Sequence, residues 1–167
     1  NSLILPGFPL ANLNTCGSFI FIFMAYSGFY KPQNPSKYRG NPMNIIYRSL
    51  WERKFMTFCD RNPNVIEWGS EEVVIPYRSP LDGRVHRYYV DFTIKVRTQS
   101  NEIKKYLVEI RPKKQTAPPP PASRQTKVYK DKVLTFLKNQ AKWEAASDWC
   151  EDRQMQFLIL TEDHLGV

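Results

Sequence analysis

Four acidic residues stand in stretches that otherwise read as core. Glu52 lies between Trp51 and Phe55, Glu72 precedes Val73-Val74-Ile75, Asp91 follows Tyr88-Tyr89-Val90, and Glu109 interrupts the run from Tyr106 to Ile110. An ionised carboxylate among apolar neighbours is costly unless a cation meets it. Arg111, two residues past Glu109, and Lys113, two further on, are candidates for that cation. Strand side chains alternate between faces, so Glu109, Arg111 and, if the strand runs that far, Lys113 share one face while Val108 and Ile110 take the other. That face holds either an internal ion-pair network or a reaction centre. Should the carboxylates meet, protons, cationic side chains or a metal must relieve their repulsion. Oxygen donors without histidine or thiolate select a hard cation, Mg²⁺ first, with Mn²⁺ as a substitute. Such an ion meets the demands of phosphodiester hydrolysis, and Arg111 or Lys113 would steady the charge that develops on phosphorus.

The elements that must position these groups follow from periodicity. From Tyr47 to Asp60 apolar residues recur every three to four positions (Tyr47, Leu50 or Trp51, Lys54 or Phe55, Phe58), which predicts an amphipathic helix ending near Asn62-Pro63. Glu52 falls close to its apolar stripe. Strands are predicted over 72–77, 85–96 and 104–111, the first two joined by a turn at Ser79-Pro80-Leu81-Asp82-Gly83. A turn there pairs residues whose numbers sum to roughly 163, bringing Glu72 opposite Asp91. Residues 112–126, with Pro118 to Pro121, read as a stiff exposed excursion. A long helix over 126–150 follows, with Val128, Val133 or Leu134, Leu137, Ala141, Ala145 and Trp149 on one face, then a strand at 156–160. Strand, crossover helix and strand imply one parallel, right-handed pairing. The fold class is α/β: a small mixed sheet flanked by helices, in the order helix, three-strand meander, helix, strand.

Composition narrows the partners. With 24 Lys and Arg against 16 Asp and Glu the net charge is +8, a balance that suits a polyanion, nucleic acid first. Cys16, Cys59 and Cys150 are far apart and form no C-x-x-C pair, which speaks against a disulfide framework or zinc site and leaves Cys59 and Cys150 as small buried hydrophobes. His86 and His164 are too isolated for a metal site or triad. The run Phe19-Ile20-Phe21-Ile22-Phe23 is too short to span a bilayer, so no membrane association is expected. Residues 1–23 carry no charge, and the composition changes at Met24. They read as a non-native or disordered extension, with 24–167 as a single domain.

Set in order along the chain, YRSLWE (47–52), WGSEEVVIPY (68–77), RYYVDF (87–92) and VEIRPKKQT (108–116) resemble the PD-(D/E)xK nuclease core, and more specifically the head completion nucleases of large tailed phages, a family related to the endonuclease subunit of heteromeric transposases. MAYSG (24–28), KWEAA (142–146) and FLILTE (157–162) also fit. The resemblance implies a restriction-endonuclease-like core in which Asp91 and Glu109 ligate the metal, Glu52 supports it, and Arg111 stands in the lysine position. Val90 replaces the usual proline, a residue without chemistry. Arg111 is the weightier departure, because guanidinium stays protonated where lysine can exchange a proton; Lys113 is the alternative source of an amine. The implied role is cleavage of double-stranded DNA, as an endo- or exonuclease, during head completion and head-tail joining, with portal or connector proteins as partners. The implied setting is the host cytoplasm during assembly, or the virion. Arg48, Arg53, Arg87, Lys113, Lys114 and Lys127 lie near the motifs and are the candidate phosphate contacts. Two alternatives share these residues: a non-catalytic, DNA- or portal-binding head completion protein that keeps the fold, and a transposase endonuclease subunit.

Overall fold

The structure, a computed structural model, describes residues 26–166; the expectation for residues 1–23 lies outside them. A short ribbon of β1 (Gly28–Tyr30) and β2 (Ile45–Tyr47) precedes α1 (Leu50–Arg61). Ser49 opens α1 from an extended conformation, its hydroxyl accepting the Glu52 amide at 3.1 Å, which satisfies one of the free N–H groups at the helix start. The helix stops at Asn62, where Pro63 disfavours a helical predecessor. It buries Phe55, Met56 and Cys59.

Under α1 lies a four-stranded sheet in the order β3 (Val65–Ser70), β6 (Phe92–Arg97), β7 (Ile103–Ile110), β8 (Gln156–Leu160). The first three are antiparallel, while β7 and β8 are parallel and joined through α2 (Lys127–Glu151). Alternation divides the core along β7. Tyr106, Val108 and Ile110 pack with Phe55, Trp68 and Phe92 on the α1 side, and Leu107 packs with Ala146 and Cys150 of α2 on the other. Cys59 and Cys150 are buried free thiols. A short helix, α3 (Glu162–Leu165), closes the described chain, and among the described residues no helix is long and apolar enough to cross a membrane.

Three expectations need correction. The predicted strand over 85–96 is two strands. β4 (Val74–Arg78) and β5 (Val85–Tyr89) form a separate hairpin with Val74 opposite Tyr89, the register the turn dictates. Backbone pairing continues one step, with the Val90 amide on the Val73 carbonyl, and then the chain shifts at Asp91 so that Phe92 joins the central sheet between Ser70 and Val108. The meander is therefore β3-β6-β7, with the hairpin inserted between its first two members. β3 itself was not anticipated, because a register shift between Val65 and Glu67 breaks its two-residue alternation. The buried face of α2 is also rotated from the expected one. Asn139, Trp143, Ala146 and Cys150 are buried and Ala141, Ala145 and Trp149 only partly, while Val128, Leu134 and Leu137 are exposed and no α2 residue before Asn139 is buried.

Candidate active site

The break between β5 and β6 leaves Asp91 outside both strands, with its carbonyl accepting the Glu71 amide at 3.1 Å. The Asp91 carboxylate Oδ2 accepts the Ile110 amide at 2.8 Å, fastening the break to the end of β7. The side chain is only 17 % exposed. Burial, with the Glu109 carboxylate second, raises its pKa to about 8, against the opposing pull of Arg111 and the Ile110 amide.

Glu109 faces the α2 side from β7 and has no exposed surface. Its Oε2 accepts the Tyr88 hydroxyl at 2.7 Å, and its Oε1 is ion-paired with the Arg111 guanidinium. Burial raises the Glu109 pKa, and Arg111 and the Tyr88 hydroxyl work against it. Arg111 follows β7 and is held by its amide on the Leu160 carbonyl, 2.9 Å. Its NH1 donates to the Ile110 carbonyl at 3.1 Å and stands 3.9 Å from Asp91 Oδ2. Burial alone would lower the Arg111 pKa; Glu109 and Asp91 more than offset it, so the guanidinium stays charged.

These groups lie at a cleft of about 450 Å³ whose lining includes Arg48, Glu52, Glu71, Tyr89, Asp91 and Arg111. Glu52 is fixed at the start of α1, one oxygen accepting the Arg48 amide at 2.7 Å and the other the Ser49 hydroxyl at 3.0 Å. It therefore forms part of the cleft wall.

Two of the predicted catalytic or metal-ligating residues, Glu72 and Lys113, are turned away from the cleft. Glu72 points the other way, accepting the Tyr38 hydroxyl at 3.3 Å beside Gly40. The cause is Glu71, whose φ of 56° reverses the alternation of side chains, so that Glu71 faces the cleft and ion-pairs with Arg48. Lys113 turns toward α3, with Nζ on Asp163 at 2.6 Å and its amide on Glu162 at 2.8 Å; its pKa is raised by that Asp163 contact. Past Pro112 the chain forms a 3₁₀ turn over Lys113–Gln115, ending the strand alternation that would have aimed Lys113 beside Arg111. Of the candidate phosphate contacts, Arg48 lines the cleft. Arg53 lies over the Tyr47 ring and lines a separate pocket, and Arg87, Lys114 and Lys127 are exposed outside the cleft lining.

Two supporting residues escaped the sequence reading. Tyr88 holds Glu109, and Lys142 of α2 places Nζ 5.1 Å from the centre of the Tyr88 ring and 5.8 Å from that of Tyr77. Burial lowers the Lys142 pKa, and the Glu109 charge resists the change. Tyr88 stands next to the Asp91 motif, but its hydroxyl carries no periodic signal. Lys142 is separated from every site residue by the proline-rich excursion.

Whether a divalent ion fits can be judged from the donors. Among the described residues no three Asp, Glu, His or Cys side chains form a metal-holding group, so the four-acid cluster is replaced by a pair. The oxygens that do converge, Asp91 Oδ2, Glu109 Oε1 and the Ile110 carbonyl, all meet one guanidinium. An all-oxygen set with two carboxylates fits a hard cation.

Comparison with known proteins bears on the same elements. Residues 62–162 match the family described as "TnsA-like endonuclease N terminal". The chain is also 44 % identical over 146 residues to the head completion nuclease of Enterobacteria phage T4, covering 85 % of this chain and 95 % of that protein. The chain belongs to the TnsA-like endonuclease family. No solved structure gives a significant match. The architecture is accordingly that of a restriction-endonuclease-like TnsA-type domain. The matched region holds β3, the hairpin, β6, β7, α2 and β8, and with them Asp91, Glu109 and Arg111. Arg48 and Glu52 precede it but lie in the part of the chain long enough to be shared with the phage nuclease.

Proposed function

We propose that this chain is a metal-dependent nuclease that hydrolyses phosphodiester bonds of double-stranded DNA during phage head completion. The observation that carries the reading is the meeting of Asp91, from the break between β5 and β6, and Glu109, from β7, around an Arg111 that lines a solvent-reachable cleft. Likeness to a head completion nuclease over 95 % of that protein supports the assembly role. Asp91, Glu109 and the Ile110 carbonyl would hold the ion, Mg²⁺ or Mn²⁺. When bound it supplies Lewis acidity toward a phosphoryl oxygen and acidifies water. Arg111 contributes a permanent positive charge for the phosphate and no proton exchange. Arg48 can trade its Glu71 partner for a backbone phosphate, binding DNA without reading sequence. Glu52 fixes the start of α1 as the opposite wall. Portal or connector proteins are the partners this role calls for.

The test is incubation of the full chain with supercoiled and linear duplex DNA in Mg²⁺, Mn²⁺ or EDTA. Cleavage should need the metal and fall by on the order of 100-fold or more in Asp91→Asn and Glu109→Gln with folding retained. Undiminished cutting by Asp91→Asn refutes this site. The Arg111–Glu109 pair favours a second reading, a DNA- or portal-binding platform without cleavage. That reading requires DNA binding with no metal-dependent products from the wild type.

A further inference from the structure

Resting on that nuclease reading, we infer that Arg111 is a resident counter-ion which a divalent metal must displace from Glu109. Of the two oxygens of this fully buried carboxylate, Oε2 is hydrogen-bonded by the Tyr88 hydroxyl, itself buried, and the other, Oε1, has no hydrogen bond and meets only the charge of Arg111. The guanidinium also donates to the Ile110 carbonyl and faces Asp91. It thus spans the same three oxygens that suit a hard cation, reaching them from two separate nitrogens of its planar, five-donor head, where lysine would bring three donors on one atom.

Access and charge both lead to displacement. Arg111 is 28 % exposed and lines the cleft, whereas Glu109 has no exposed surface and does not line it. An ion arriving from the cleft therefore meets the guanidinium before it meets Glu109. With both carboxylates ionised, they and one guanidinium leave one negative charge; exchanging the guanidinium for a divalent ion makes the group neutral, while keeping both cations crowds like charges in a buried space. The cleft offers the released side chain new partners in Glu52 and Glu71, or a DNA phosphate. Arginine in the lysine position then makes metal loading competitive and leaves its own charge free for substrate only after loading.

The experiment uses the full chain without DNA, so its readout does not depend on cleavage. In protein carrying ¹⁵N-labelled arginine, the Arg111 side-chain resonances, identified by their loss in Arg111→Lys, are followed while Mg²⁺ is added. Calorimetry measures Mg²⁺ affinity of wild type and Arg111→Gln in the same alkaline buffer. Displacement predicts that the Arg111 resonances shift and saturate at the calorimetric midpoint, and that Arg111→Gln binds Mg²⁺ roughly 10-fold more tightly. Unmoved Arg111 resonances at saturating Mg²⁺, or equal or weaker binding by folded Arg111→Gln, overturns the inference and leaves the nuclease reading intact. No Mg²⁺ binding by the wild type overturns both.

Discussion

Replacing Asp91 with asparagine should make the metal-free protein less sensitive to rising pH. The substitution preserves shape and keeps an oxygen for the Ile110 amide, which lies 2.8 Å from the Asp91 carboxylate. Only the charge is lost. Burial and the neighbouring Glu109 hold the Asp91 pKa at about 8, against an ordinary 3.8. Between these values the folded protein binds the proton more tightly than the unfolded chain, so stability falls as pH rises through the window and levels off above it. Each pH unit is worth about 1.4 kcal/mol, giving a ceiling of about 4 kcal/mol between about pH 5 and pH 8. Solvent reaching a side chain that is 17 % exposed reduces the expected figure to ~2 kcal/mol. Urea unfolding of both proteins in EDTA across that range measures the difference in free energy. It should move in favour of Asp91→Asn by that amount as the buffer becomes alkaline. A difference that stays flat, or that shifts in favour of the wild type, refutes the account of Asp91 as a buried acid held against its charge.

Two further substitutions probe the frame. Asp60 is fully buried and accepts the amides of Gln33 and Asn34 and the Tyr30 hydroxyl, tying the chain before β2 onto α1; Asp60→Ala should cost about 3 kcal/mol in urea unfolding by stranding those donors. Ser49→Ala removes both the cap on the Glu52 amide and the hydroxyl that holds the Glu52 carboxylate. It should cost about 1 kcal/mol by the same measurement and reduce cleavage less than Asp91→Asn does.

The parts of this molecule that obey a period were legible from residues alone. Helix α1, the hairpin register at Asp82-Gly83, the crossover through α2 and the shared face of Glu109 and Arg111 all follow from spacing and turn chemistry. What was hidden is what departs from period. The shift at Asp91 divides an unbroken run of strand-forming residues, and nothing in Tyr89-Val90-Asp91-Phe92 announces it. A single left-handed residue, Glu71, exchanges itself for Glu72 at the cleft. Lys113 turns onto α3 once the strand has ended at Ile110 and the chain has passed Pro112. The buried face of α2 depends on where the sheet stops, which no helical wheel records. Tyr88 and Lys142 act through contacts between distant segments, and composition carries no trace of them.

The β4–β5 ribbon is rooted beside Asp91, yet its turn is closed by its own bonds: the Ser79 amide on the Arg84 carbonyl, the Gly83 amide on the Ser79 carbonyl, and His86 against Asp82. Five residues of strand put that tip about 16 Å from the root. Inheritance can therefore lengthen, shorten or rewrite the loop without touching Asp91 or Glu109, and grafting at the tip is where an engineer should begin.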